Sequence, residues 1–203
     1  MNIRKMLSCN FSSAIAAIGF LLVISLIVAT PPAAAKMTDQ EKAKAQTEIR
    51  KEVKNTLDQL YKLHPSAKGA ISKAAGYAVF SNLGVNVILL SGAHGKGMAI
   101  DNSTKKETFM KMISGGVGIG LGVKDFRAIF VFDTKEALNS FITSGWDASG
   151  QVDAAAKAGK KGGAVSGATS VAPGVWVYQI TKNGLAAQAT LQGTKYSKDD
   201  ALN

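Results

Sequence analysis

From position 117 to 123 the chain alternates branched apolar residues with glycine. Val117, Ile119, Leu121 and Val123 fall on one parity, and Gly118, Gly120 and Gly122 on the other. A repeat of two is the period of a strand, so one face of the segment carries apolar side chains and the other carries none. A helix would scatter those glycines around its circumference, at about 1 kcal/mol each relative to alanine. The bare face admits a second sheet, an aromatic ring, a helix or a ligand chain. Arg-Ala-Ile-Phe-Val-Phe, positions 127 to 132, follows as a second strand, and this pair is the expected centre of the domain.

The helical period appears earlier. Thr38-Asp39-Gln40-Glu41 is a capping box, and Ile49, Val53, Leu57 and Leu60 then recur on one face until Pro65 forces a stop near His64. The polar remainder and the narrow apolar stripe predict a helix docked on the domain surface. A short second helix is expected over 66–75, closed by Gly76. Strands are expected at 77–80, 84–90, 98–100 and 108–113, with a glycine-rich loop at 91–97 and a turn at Asp101-Asn102-Ser103-Thr104. Asp133-Thr134-Lys135-Glu136 reads as a second capping box, opening a helix with Ala137, Leu138, Phe141 and Ile142 inward and Gly145 at its end. Residues 158–169 read as irregular. Strands at 175–180 and 185–191 flank the hairpin turn Lys182-Asn183-Gly184, and 193–203 reads as a polar tail pinned by Tyr196. Hairpin-length connections predict an α+β fold: a mainly antiparallel sheet of about seven to nine strands with an N-terminal and a central helix packed on it.

The extreme N-terminus belongs to none of this. Arg4 and Lys5, the apolar run 14–29 and Ala33-Ala34-Ala35 have the three-part form of a secretory signal peptide. The expected organisation is a signal peptide over 1–35, a docked helix over 36–63 and the main domain over 64–203. The product is periplasmic or secreted after cleavage, or else membrane-anchored by residues 14–29. Cys9, the single cysteine, lies before the apolar run, so the chain beyond Ala35 has no disulfide and no thiolate. The formal charge is +10, and +8 without Arg4 and Lys5. That excess favours anionic lipid, acidic protein or nucleic acid in general, and export removes nucleic acid from the expected partners.

Catalytic chemistry finds little support. His64 and His94 are the only histidines, no His-Glu-x-x-His or other metal-ligand spacing occurs, and no serine sits in a strand–elbow context. Neither a metal nor a cofactor is expected. The Ser91–Gly97 segment can form a nest of backbone N–H groups around an anion, with Lys96 as charge and His94 as donor, or it can be an ordinary hairpin or bulge. Lys105, Lys106, Lys111, Lys124, Arg127, Lys157, Lys160 and Lys161 can build a basic face, and Phe126 between Lys124 and Arg127 is the aromatic best placed to meet a membrane.

From about Leu60 to Asn203 the chain resembles the SYLF domain, also called the Ysc84-type actin-binding domain. The resemblance is carried by His64-Pro65-Ser66-Ala67-Lys68, Lys73-Ala74-Ala75-Gly76-Tyr77, a turn at Gly95–Gly97, the glycine alternation from Gly116, the Phe130–Phe132 strand with its helix, and Val177-Tyr178-Gln179-Ile180…Gly184-Leu185…Leu191-Gln192-Gly193. Glu107-Thr108-Phe109-Met110-Lys111 departs from the Trp-Ser-x-Pro motif of many members. The resemblance implies a non-catalytic lipid-binding domain. The expected ligand is anionic phospholipid at the envelope, with His94, Lys96, Lys124, Arg127, Gly118, Gly120 and Phe126 as its site. A structural or protein-interaction module of the envelope is the competing expectation.

Overall fold

In the computed structural model, residues 37–81, 92–115, 127–148, 167–181, 184–185 and 194–203 are described. They form α1 (Asp39–Leu63), α2 (Ser66–Lys73), β1 (Gly76–Ser81), β2 (Gly92–Asp101), β3 (Glu107–Gly115), β4 (Arg127–Phe132), α3 (Lys135–Ser144), β5 (Trp146–Asp147), β6 (Thr169–Ala172), β7 (Val175–Thr181), β8 (Gly184–Leu185) and β9 (Thr194–Lys198). The strands make one sheet in the order β5-β9-β3-β2-β1-β4-β7-β6, with β8 on β7. Every pairing among the described residues is antiparallel. The fold is α+β, as the pattern predicts.

Strand parity sorts the core into two layers. Ala78, Phe80, Ala99, Met110, Met112, Ala128, Phe130, Phe132, Val177 and Tyr196 point to an inner face, where they meet Leu138 and Phe141 of α3. Val79, Met98, Ile100, Phe109, Ile129, Val131, Tyr178 and Ile180 point to the outer face, covered by Ile49, Val53 and Leu60 of α1 and Ala67 and Ile71 of α2. A sheet coated on both faces explains why the central strands read as nearly continuous apolar runs.

The inner face is strongly curled. Tyr196 on β9 and Phe80 on β1 are three strands apart, about 14 Å in a flat sheet, yet their ring centroids are 4.6 Å apart. Phe130, one strand further on, is 4.9 Å from Tyr196, and Trp146 of β5 is 5.3 Å from Phe130. The far edge of the sheet therefore folds over its own middle. Glycines on β2 permit this. A Cβ at Gly97 would run into the Val79 carbonyl and the Phe80 ring, and one at Gly95 would lie 2.5 Å from Met112 Cε and 2.8 Å from the Ser81 carbonyl.

The helices start and stop for identifiable reasons. Thr38 and Glu41 cap α1 reciprocally, with the Thr38 N–H donating to Glu41 at 2.8 Å. At the other end the His64 N–H donates to the Leu60 carbonyl at 2.7 Å. Arg50 anchors α1 to β3, paired with Glu107 at 2.8 Å and lying 5.1 Å from the centroid of Phe109. The chain end ties the same two elements together: Asn203 brackets the Phe109 backbone, donating to its carbonyl at 2.8 Å and accepting from its N–H at 3.0 Å. Lys42 and Gln46 of α1 donate to the Asn203 and Leu202 carbonyls, each at 2.8 Å.

Several expectations need correction. The expected loop at 91–97 is strand from Gly92 onward, so no backbone nest forms there. The expected polar tail contains β9, which sits between β5 and β3 and buries Tyr196 completely. The α3 cap is Thr134, which accepts from the Ala137 N–H at 3.2 Å. Asp133 instead accepts from Trp176 Nε1 at 2.9 Å. Gly76 opens β1 and does not close α2, which has its C-cap at Ala74; glycine is required at 76 because a Cβ there would meet the Ile100 carbonyl at 2.5 Å and Leu138 at 2.6 Å. The irregular reading of 158–169 gives way at Thr169 to β6, and the two-residue β5 has no forerunner in the pattern. The glycine alternation at 117–123 and the strand expected at 84–90 lie outside the described residues.

Two predictions follow from the inner face and its surroundings. Gly97→Ala overpacks the curl and costs about 1–3 kcal/mol, read as a lower urea midpoint at unchanged slope. Burial pushes the phenols of Tyr61, Tyr77, Tyr178 and Tyr196 upward, Tyr196 the furthest. A raised phenol keeps its proton when folded and loses it first when unfolded. This part of the stability is complete below about pH 10 and is lost as pH rises beyond it. In an absorbance titration at 295 nm, phenolate formation in the folded protein should lag that in urea; coincident curves would contradict the assignment.

Candidate functional site

Helix α1 crosses the outer face but leaves one row of the sheet at its margin. Cross-strand pairing sets that row in order: Ser197 of β9, Lys111 of β3, Lys96 of β2, Ser81 of β1, Arg127 of β4 and Ile180 of β7. Lys96 and Lys111 are directly opposed, and both are exposed. Opposed side chains start from Cβ atoms about 5 Å apart, and like charges there are unfavourable. Neither lysine has an ion-pair partner among the described residues. In the next row Lys195 stands opposite Ile113 and pairs with Asp147 at 3.3 Å. Ile113 lies two positions along β3 from Lys111, and it is 43% exposed.

Arg127 is set differently. Its side chain is 15% exposed, and its Nε lies 3.4 Å from Oε1 of Glu52 on α1. The same oxygen accepts from Ser81 Oγ at 3.2 Å and from Thr56 Oγ1 at 3.5 Å. One margin thus holds three cations, two of them open to solvent, and two serine hydroxyls, with the Glu52 carboxylate of α1 reaching in among them.

Of the site residues expected from sequence, Lys96 and Arg127 share this row on either side of Ser81. His94 falls in β2 opposite Ile113, by backbone register. Lys124, Gly118, Gly120 and Phe126 lie outside the described residues. The structure adds Lys111, Ser81 and Glu52. Lys111 was one of many basic residues in the sequence; only its pairing with Lys96 sets it apart. Phe109 and Trp146 are buried, and Trp176 is half-buried. The inner face is filled by its own rings, and the exposed large hydrophobic residues among those described are Met37, Leu63 and Ile113. Among the described residues no three His, Cys, Asp or Glu side chains are grouped to hold a metal ion, and no helix is long and apolar enough to cross a membrane.

Residues 113–203 match the model of the Ysc84 family, described as Las17-binding protein actin regulator. The chain is also 34% identical over 146 residues to Beta cell expansion factor A of Aeromonas veronii, an alignment covering 72% of this chain and 54% of that protein. The chain belongs to the Ysc84/SYLF-domain family. It spans about half the length of that curated relative. The Ysc84 match takes in Arg127, α3 and β4 to β9, whereas Lys96, Lys111 and Ser81 lie upstream of it. The cationic row therefore joins a strand from inside the matched region to strands that begin before it.

Lys111→Glu turns the opposed lysines into an opposite-charge pair. It should raise stability by a few tenths to about 1 kcal/mol, with the gain shrinking at high salt. Urea unfolding at two ionic strengths measures this, and an unchanged or lower midpoint at low salt would count against the paired geometry.

Proposed function

We propose that this chain binds anionic phospholipid reversibly at the bacterial envelope, without catalysis, and that the row Lys111–Lys96–Ser81–Arg127 receives the head-group phosphates. The observation that carries this reading is the directly opposed, exposed lysine pair. A sheet gains nothing from such a pair by itself, whereas an anion placed between the two ammonium groups relieves their repulsion. Family membership in a lipid-binding class supports the same reading. His94, opposite Ile113 by backbone register, and Lys124 complete the proposal as further head-group contacts, with Gly118, Gly120 and Phe126 as the part that takes the acyl region. The protein would act in the periplasm or outside the cell after loss of residues 1–35, or tethered by residues 14–29. The words actin and Las17 in the family's description concern other proteins, and nothing in this row calls for them.

The filled inner face favours the competing reading, a protein-interaction module of the envelope with no specific lipid. Vesicle co-sedimentation separates the two. Each basic residue at a charged membrane surface is worth about 1 kcal/mol, so Lys96→Ala, Lys111→Ala and Arg127→Ala should each weaken binding to phosphatidylglycerol vesicles about fivefold at low salt. Lys44→Ala, on the exposed side of α1, should do much less. No wild-type binding at low salt would overturn the lipid reading, and equal effects at all four positions would reduce it to diffuse charge attraction.

A further inference from the structure

We infer that Glu52 is a built-in competitor for the anion seat formed by Ser81 and Arg127, so that a lipid phosphate must displace the protein's own carboxylate in order to bind. The inference rests on the lipid reading above and concerns how that site is regulated.

Three donors from three elements converge on one oxygen of Glu52: Ser81 Oγ of β1 at 3.2 Å, Arg127 Nε of β4 at 3.4 Å and Thr56 Oγ1 of α1 at 3.5 Å. Such convergence is what an oxyanion site requires. All three distances are long, because charge-assisted hydrogen bonds usually close to about 2.7–2.9 Å. The same protein reaches that range at more open positions, 2.8 Å for Arg50–Glu107 and 2.7 Å for Lys54–Asp58. The Glu52–Arg127 pair is the most sheltered of the ion pairs among the described residues, at 15% and 29% exposure, yet it is loosely made. A short carboxylate on a helix fixed by Ile49 and Val53 reaches the donors without settling on any of them. A phosphate carries more oxygens, spread in three dimensions, and it arrives from the side of the row that α1 leaves open, where Lys96 is the next residue beyond Ser81. It can engage Arg127, Ser81 and Lys96 together. Displacement needs only rotation of the Glu52 side chain, because Ile49, Val53 and Leu60 keep α1 seated. The carboxylate also quiets Arg127 in the free protein, which makes binding depend on a dense anionic surface over an isolated anion.

The test uses the chain beginning at Lys36 and phosphatidylglycerol–phosphatidylcholine vesicles, with binding read by co-sedimentation and folding checked by circular dichroism. Glu52→Gln keeps an acceptor for the two hydroxyls and removes the charge; it should tighten binding about five- to tenfold. Glu52→Asp keeps the charge and withdraws it from Arg127, and it should also tighten binding. Glu48→Gln, an exposed position one turn earlier on α1, changes net charge equally and should alter binding less than twofold. In an Arg127→Ala background the Glu52→Gln gain should disappear. Equal effects of Glu52→Gln and Glu48→Gln, weaker binding by Glu52→Asp, or a gain that persists without Arg127 would overturn the inference while leaving wild-type vesicle binding intact. Absence of wild-type binding would instead remove the lipid reading on which it rests.

Discussion

The curl of the sheet is the constraint on which the rest of the molecule depends. An open antiparallel sheet of this width would present an inner face too broad for a ten-residue helix such as α3 to cover. Folding β9 and β5 over β1 and β4 brings Tyr196 and Trp146 onto Phe80 and Phe130, so the sheet covers much of that face with its own edge. Edge-to-face geometry, with Phe80 and Phe130 at 90° and Phe130 and Tyr196 at 74°, adds to the area buried. The glycines of β2 are the other half of the arrangement. Any side chain at Gly97 would wedge apart the strands that must lean together.

Curling one face inward splays the other outward. The outer face is convex, so a straight helix can touch only part of it. α1 is held along a diagonal from β3, through Arg50 and the Asn203 clamp, toward Tyr178, where His64 packs edge-on at 5.9 Å. Its apolar stripe is narrow, and Thr56 and Glu52 already mark the stripe's boundary with the sheet's polar row. A wider stripe would have covered Lys96 as it already shelters Arg127. The exposed row is thus a consequence of how much apolar surface α1 carries.

Much of this was legible residue by residue. The α1 cap, its buried stripe and its stop at Pro65 are local chemistry, as are α3 with its terminal Gly145 and the apolar strands β1, β4 and β7. β2 reads as loop because Gly92, Gly95 and Gly97 have loop composition; the real reason for Gly95 and Gly97 is the close approach of β1, which lies in another part of the chain. β9 was misread because Thr194-Lys195-Tyr196-Ser197-Lys198 holds one large apolar group, and a strand between two others needs only a buried Tyr196 and a Thr194 to pay its way. The site was legible as a list of cations and illegible as a place. Lys96, Lys111 and Arg127 become neighbours only through the order β3-β2-β1-β4, and strand order is a non-local property. The alternation at 117–123, on which the reading was centred, lies outside the described residues. Among the described residues, Gly95 and Gly97 give β2 a bare inner face of this kind.

The magnitude of the lysine repulsion says what such a row can do. Even with their ammonium groups no farther apart than the opposed Cβ atoms, about 5 Å, the two lysines repel in water by only about 0.8 kcal/mol, and physiological salt trims this further because the Debye length is about 8 Å. The free protein tolerates that cost easily. An isolated anion recovers a similar amount, too little for a tight complex. On the proposed reading, a surface offering many phosphates at once would engage Lys96, Lys111 and, if Glu52 yields, Arg127, at about 1 kcal/mol each. Those contributions sum to a weak but usable attraction that falls steeply when either the anionic density or the salt is changed. If the proposal holds, a row built this way would discriminate surfaces by charge density and would not need to recognise one molecule.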